Sequence, residues 1–370
     1  MVRHVYVHVP FCARRCSYCD FAIAVRRSVP VEDYLAALEL EVRLRGFAGS
    51  TEVDTIYLGG GTPSRLGANG VARLLDRLRR WWRPVPGAEI TLEANPEDVN
   101  RADAAAWREA GVTRVSLGAQ SFDDRVLAWM HRTHEARAIA LAAEALHAAG
   151  YQDWSIDLIF GLPAELGRDW GRDLAQALAL APPHVSCYAL TLEPQTPLAR
   201  WRDRGEMQEP DEGGAADEFL EAHRTLTAAG YRHYEVSNYA QPGHEARHNS
   251  AYWTRVPYVG IGPSAHSFDG TIRRWNEREY SNWVRRAGAG EDPVGGTEHL
   301  TEAQRALEEI YLGLRTTFGV RMGESDRPLV ESWRAEGWAE IADGRVRLTA
   351  EGWLRLDALV AALTSFRSRL

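Results

Sequence analysis

The sequence predicts an α/β protein: a partial TIM-like (β/α)6 barrel followed by a small winged-helix-like α+β domain. Three observations predict it. Six short apolar runs alternate with amphipathic helical stretches through the first half of the chain. Polar clusters stand at or near the ends of most of these runs. After about residue 210 the rhythm changes, and the tail gathers helices around a hairpin signal. Parallel strands need crossover connections, so alternating strands and helices imply a parallel sheet with helices outside.

The strands are expected at 4–9, 54–58, 88–93, 113–117, 154–160 and 184–192. Helical spacing predicts helices over 31–45, 71–82, 101–110, 135–149 and 169–180. No Rossmann glycine fingerprint follows the first strand, which favours a complete or partial barrel over a doubly wound sheet. The polar clusters are PFC at 10–12, GGGTP at 59–63, Glu93-Ala-Asn95, Gly118-Ala-Gln120-Ser121 and Asp157. In barrels the C-terminal strand ends converge on one active face.

Beyond residue 210 a helix at 211–229 leads to a strand at 232–236 and a Gly/His/aromatic-rich segment at 237–268. Helices are expected at 302–317, 327–336 and 350–364, with strands at 338–341 and 345–348 flanking Asp343-Gly344, a hairpin signal. The division expected is a barrel over 1–235, a connecting segment over 236–300 and a small domain over 301–370.

Composition excludes several classes. The 370 residues are 45% hydrophobic and 25% charged, as in ordinary globular proteins. A net charge of −8 argues against nucleic-acid binding, which needs a basic surface. No apolar run approaches a membrane span, and the polar N-terminus does not read as a signal peptide. The expected location is the cytoplasm, with peripheral membrane contact left open. Thirteen tryptophans is a high count; most are expected in the core, and some are candidates to line a site for a flat ligand.

Three of the four cysteines fall within CARRCSYC at 12–19, a C-x3-C-x2-C spacing. Three thiolates on a tight loop suit an iron–sulfur cluster, because soft sulfur ligands select iron–sulfur or zinc. A structural zinc site closes four positions, whereas three local ligands leave one iron open. The zinc alternative needs a fourth ligand from far along the chain. Cys187, in the sixth strand, reads as a small buried hydrophobe.

With these residues in view, the chain resembles the radical S-adenosylmethionine (SAM) superfamily, whose hallmark is this cysteine spacing. YVHVPFC at 6–12, GGGTP, SLGAQSF at 116–122, DLIFGLP at 157–163 and HNSAYW at 248–253 are similar to one branch. That branch holds the oxygen-independent coproporphyrinogen dehydrogenases and the HemW-type haem chaperones. The resemblance implies a 4Fe–4S cluster on Cys12, Cys16 and Cys19. It implies SAM contacts from Tyr6, Tyr18, Gly60, Gly61, Thr62, Glu93, Gln120, Arg132 and Asp157. It also implies an electron donor for the cluster.

Two departures favour the chaperones over the dehydrogenases. Phe21 stands where the dehydrogenases carry a further cysteine, and the chain starts almost on its first strand, where they carry an extension. His248-Asn249-x-x-Tyr252-Trp253 is similar to the chaperone pattern. Haem is therefore the expected cargo, His248 its candidate axial ligand in an open loop, and haem-acceptor proteins the expected partners. His8, beside the cysteine loop, is expected to orient the cluster or SAM. No residue is assigned a catalytic role, and coproporphyrinogen oxidation is not expected. Two alternatives stay open: the dehydrogenase, and a metal-stabilised binding protein without radical chemistry.

Overall fold

A computed structural model describes residues 2–47, 49 and 51–368. The domain ends expected at 1 and 370 lie outside the described residues.

Six parallel strands form the middle of the sheet: β1 (His4–Val9), β2 (Thr51–Gly60), β3 (Trp82–Ala94), β4 (Arg114–Gln120), β5 (Asp153–Phe160) and β6 (His184–Ala189). Each pairs with its sequence neighbour. On the β6 side the sheet continues antiparallel through Asn238–Ala240 and Arg232–Glu235. On the β1 side Tyr258–Ile261 joins in parallel, followed antiparallel by His266–Phe268, Ile272–Asn276 and Val294–His299. Among the described residues no pairing joins the two edges, so the barrel is partial.

Helices cover the outer face, including Val31–Leu44, Gly67–Leu78, Arg101–Ala110, Ala136–Ala148 and Trp170–Ala179. Asn100 and Asp169 cap two of them by accepting backbone N–H groups. The second helix ends at Leu78, short of the expected 82, because Trp82 pairs with Thr51 and opens β3.

Alternate strand residues meet different surroundings. Ile90, Leu92, Val115, Leu117, Ile156, Leu158, Val185 and Cys187 are buried in the apolar core. Thr91, Glu93, Arg114, Ser116, Ser155, Asp157, His184 and Ser186 line the barrel interior instead. Pleating sends successive side chains to opposite faces, so one strand serves both.

The segment expected to connect at 236–300 supplies sheet strands and two helices, Arg247–Trp253 and Tyr280–Gly288. Glu41 ties its far end to the first helix. This fully buried carboxylate accepts from Arg45 Nη1 at 2.9 Å, Gly262 N at 2.9 Å, Asn276 Nδ2 at 2.7 Å and Trp283 Nε1 at 2.9 Å. The tail forms a three-stranded antiparallel sheet, in the order Val320–Arg321, Arg345–Leu348, Ala339–Ala342, among helices. Its arrangement is winged-helix-like. A capping box at Thr301 and Gln304 starts its first helix.

Candidate functional site at the mouth and interior of the barrel

The cysteine loop crosses the C-terminal end of the strands. Phe11–Cys12 pairs with Ala24–Val25, so the chain returns beside itself and closes the loop. Ser17 N donates to Met130 O at 3.0 Å, and Leu198 N donates to Ser17 O at 2.9 Å, anchoring the loop to two neighbours. His8 lies beneath it, with Nε2 2.8 Å from Ala22 O and Nδ1 3.1 Å from Tyr6 Oη. Burial holds the His8 imidazole down at about 4. A neutral ring can bridge backbone and phenol as an uncharged spacer.

Cys12, Cys16 and Cys19 all face one cavity of about 700 Å3. Burial raises the Cys12 thiol and pushes Cys19 up to about 12. Arg132 Nη1 lies 3.5 Å from Cys16 Sγ and offers positive charge there. Thiols held neutral by burial ionise on a metal, whose charge inverts that preference. Among the described residues no three His, Cys, Asp or Glu side chains converge on a single ion. A four-iron cluster asks for something different, one thiolate on each of three irons. Three soft donors on one loop, with a cationic neighbour and a cavity in front, fit that cluster.

The glycine run beside the loop is a cradle. Gly60 has φ +116°, and a Cβ there would lie 2.7 Å from the His8 ring. A Cβ on Gly61 would lie 2.7 Å from the Pro10 carbonyl. Gly61 N and Thr62 N donate to Val9 O and Phe11 O at 2.8 and 2.9 Å, binding the run to the cysteine loop. Only glycine fits such close backbone approaches. Thr62 Oγ1 lies 3.5 Å from Cys12 Sγ.

The charged groups sit around this cradle. Glu93 accepts from Tyr57 Oη at 2.8 Å and from Gly60 N at 2.9 Å. Burial pushes its carboxyl up to about 7, against those two hydrogen bonds. Arg132 donates to Asn95 Oδ1 at 2.6 Å and Gly118 O at 2.8 Å, while its buried Nε has no partner. Asp157 Oδ2 accepts from Ser116 Oγ at 2.8 Å, and its buried Oδ1 has no partner. Burial raises the Asp157 carboxyl. Gln120 stands at a register shift between β4 and β5 with φ +70°, a strained backbone for a side-chain-bearing residue. Buried polar atoms without partners beside a glycine cradle fit a polar ligand with hydroxyl, amine and carboxylate groups, as SAM has.

Tyr18, Gly60, Gly61, Thr62, Glu93, Gln120, Arg132 and Asp157 share this cavity wall with the three cysteines. Tyr6 is not on it: its ring stacks on Tyr57 at 6.1 Å and its hydroxyl meets His8.

His248 is elsewhere, and the expectation of an open loop is corrected. It lies on the helix Arg247–Trp253, which closes the N-terminal end of the barrel, opposite the cysteine loop. Glu89 accepts from Arg247 N at 2.8 Å and His248 N at 2.9 Å, capping that helix from inside β3. The His248 ring is 1% exposed, with Nδ1 2.6 Å from Thr55 Oγ1 and Nε2 2.8 Å from Tyr252 Oη. Both nitrogens are therefore engaged. Burial holds the ring neutral, down at about 3.

With this geometry described, comparison with known proteins is decisive. The radical SAM superfamily pattern matches residues 6–177. A Mycobacterium tuberculosis protein named heme chaperone HemW is 40% identical over 97% of this chain and 94% of its own length. The chain belongs to the HemW family of radical SAM proteins. The Bacillus subtilis heme chaperone HemW is 33% identical, over 86% of this chain and 85% of its own. A Bos taurus mitochondrial protein, radical S-adenosyl methionine domain-containing protein 1, is 34% identical over 98% of this chain and 87% of its own. The solved structure of Escherichia coli coproporphyrinogen III oxidase HemN superposes with a TM-score of 0.81 at 23% identity, covering 99% of this chain and 90% of that one. That likeness shows the shared fold. HemW membership implies the 4Fe–4S cluster and SAM through the superfamily.

Sequence reasoning missed the interior residues Tyr57, Arg114, Ser116, Ser155, His184 and Ser186. A signal was available. Parallel strands covered on both faces read as continuous apolar runs. Here β4, β5 and β6 alternate polar with apolar, as in RVSLGAQ, DWSIDLIF and HVSCYA. Alternation in a covered parallel strand marks a polar interior.

Proposed function

We propose that the protein binds haem and hands it to acceptor proteins, as a haem chaperone with a radical SAM cofactor set. The observation that carries this reading is the near full-length similarity to proteins named heme chaperones, combined with Phe21. Its ring is 61% exposed at the cavity rim, one residue beyond the Cys19-Asp20 pair. An exposed aromatic at a cofactor mouth suits the face of a flat apolar ligand.

Cys12, Cys16 and Cys19 would hold the 4Fe–4S cluster, and Tyr18, Gly60, Gly61, Thr62, Glu93, Gln120, Arg132 and Asp157 would hold SAM. Together these cofactors supply one-electron cleavage of a sulfonium. The chain's part is positional. Arg132 places a cation beside Cys16, the glycine run brings backbone close, and Glu93 presents a carboxyl that gains or loses its proton near neutral pH. Tyr6 acts in this reading through His8 and Tyr57, not by touching the ligand.

His248 serves as the axial haem donor once its bond to Tyr252 opens and the helix Arg247–Trp253 moves, since the closed arrangement leaves neither nitrogen free. An electron donor for the cluster and haem-acceptor proteins are the proposed partners, and the cytoplasm is the proposed location. No described helix is long and apolar enough to cross a membrane.

The test adds haem, or coproporphyrinogen III with SAM and reductant, to anaerobically reconstituted protein. Stable haem binding with a Soret band that His248→Ala shifts, and no protoporphyrinogen, is the expected result. Catalytic decarboxylation of coproporphyrinogen III would overturn the chaperone reading in favour of the oxidase.

A further inference from the structure

The cavity does not end at the SAM cradle. It continues down the barrel to the helix Arg247–Trp253, whose Asn249 forms part of its floor. Strand register stacks the interior side chains in rows. Gly118, Asp157 and Ser186 pair across β4, β5 and β6. Ser116, Ser155 and His184 form the row beneath, and Arg114 lies below that, paired with Thr91 on β3.

The lower rows hold two groups with unused hydrogen-bonding capacity. Arg114 is 4% exposed. Its only side-chain hydrogen bond among the described residues is from Nη1 to His244 O at 3.3 Å, and no carboxylate lies within ion-pair reach of its guanidinium. A buried cation without an anion is costly, and a guanidinium carries five donors. His184 is 1% exposed, with Nε2 2.8 Å from Tyr234 Oη and Nδ1 unpartnered. Tyr234 Oη accepts from Ala246 N at 3.2 Å and has one hydrogen to give. Given to His184 Nε2, it leaves the imidazole proton on Nδ1, a second free donor at the cavity wall.

We propose that this floor is a binding site for a carboxylate, seated on the Arg114 guanidinium and supported by His184 Nδ1–H and the Asn249 carboxamide. Planar carboxylates match the guanidinium fork, and charge-assisted bonds of this kind are the strong ones. Asp157 stands above, its free Oδ1 facing the same cavity. The complementary ligand therefore presents its carboxylate downward and neutral or cationic groups upward. The shared chemistry has two sources: a propionate of a tetrapyrrole, or a small free carboxylic acid. The site rests on the cavity alone and does not depend on haem delivery.

Propionate carrying a 13C-labelled carboxyl group tests it directly. Its carboxyl resonance should broaden on adding reconstituted protein. R114Q should weaken that binding about tenfold or more, the loss of one charge-assisted pair, and R114K should retain part of it. Melting by circular dichroism checks that R114Q is folded. Equal broadening with folded R114Q and wild type would overturn the site. So would equal loss in R114K and R114Q, because charge would then not be what binds. A second arm compares protoporphyrin IX with its dimethyl ester. A preference for the free acid that R114Q removes assigns the carboxylate to a tetrapyrrole. Equal binding of acid and ester, with the propionate effect intact, assigns the floor to a small acid.

Discussion

Glu93→Gln separates the proton from the hydrogen bonds at the cradle. In the unfolded chain Glu93 titrates at its ordinary 4.5, and in the fold burial pushes it up to about 7. Between those values the folded protein holds a proton that the unfolded chain has released. This contribution to stability is fully present below 4.5 and is lost as pH rises through 7. At about 1.4 kcal/mol per pH unit the loss amounts to about 3 kcal/mol by pH 8. Gln removes the titration. It also removes one acceptor, because an amide nitrogen cannot accept from either Tyr57 Oη or Gly60 N. That costs about 1 kcal/mol at every pH. The two profiles should therefore cross near pH 5, where the wild type has already lost about 1 kcal/mol, and the variant should be more stable at pH 8 by about 2 kcal/mol. Urea midpoints under anaerobic, reducing conditions from pH 4 to 8.5 measure the crossing. Parallel profiles for the two proteins would refute the reasoning, since they would mean that Glu93 has the same proton affinity folded and unfolded.

Other outcomes follow from the same geometry. Cys12→Ala, Cys16→Ala and Cys19→Ala should each lose the iron and sulfide of the reconstituted protein, whereas Cys187→Ala should keep them, because Cys187 is 2% exposed and packs in the apolar core; colorimetric iron analysis decides. Gly60→Ala forces a side chain onto φ +116° against His8, at a cost of about 1–3 kcal/mol from the backbone alone, and should abolish the change that SAM makes in the EPR spectrum of the reduced cluster. Glu41→Ala should destabilise by about 3–5 kcal/mol, because it leaves buried Arg45 without its partner; a urea midpoint shifted by much less would show that the four-way hydrogen-bond hub is dispensable.

Much of the protein is determined by local sequence. Helix and strand periods and the Asp343-Gly344 turn are short-range signals, and most elements appear in the structure within a few residues of where the pattern placed them. The cysteine spacing is local too: three ligands within eight residues can be read without a fold. The strand-end clusters were legible because barrel topology sends C-terminal ends to one face. Tertiary structure decided what depends on pairing across the chain. Whether 236–300 would cross or extend the sheet turned on the hydrogen bonds between β1 and Tyr258–Ile261, which no local pattern encodes. The same long-range packing placed His248 against Thr55, 193 residues away, and closed the barrel with its helix. An open loop and a buried plug read alike in sequence, because glycine, histidine and aromatic residues suit either, and only the partner surface determines which side of them meets water.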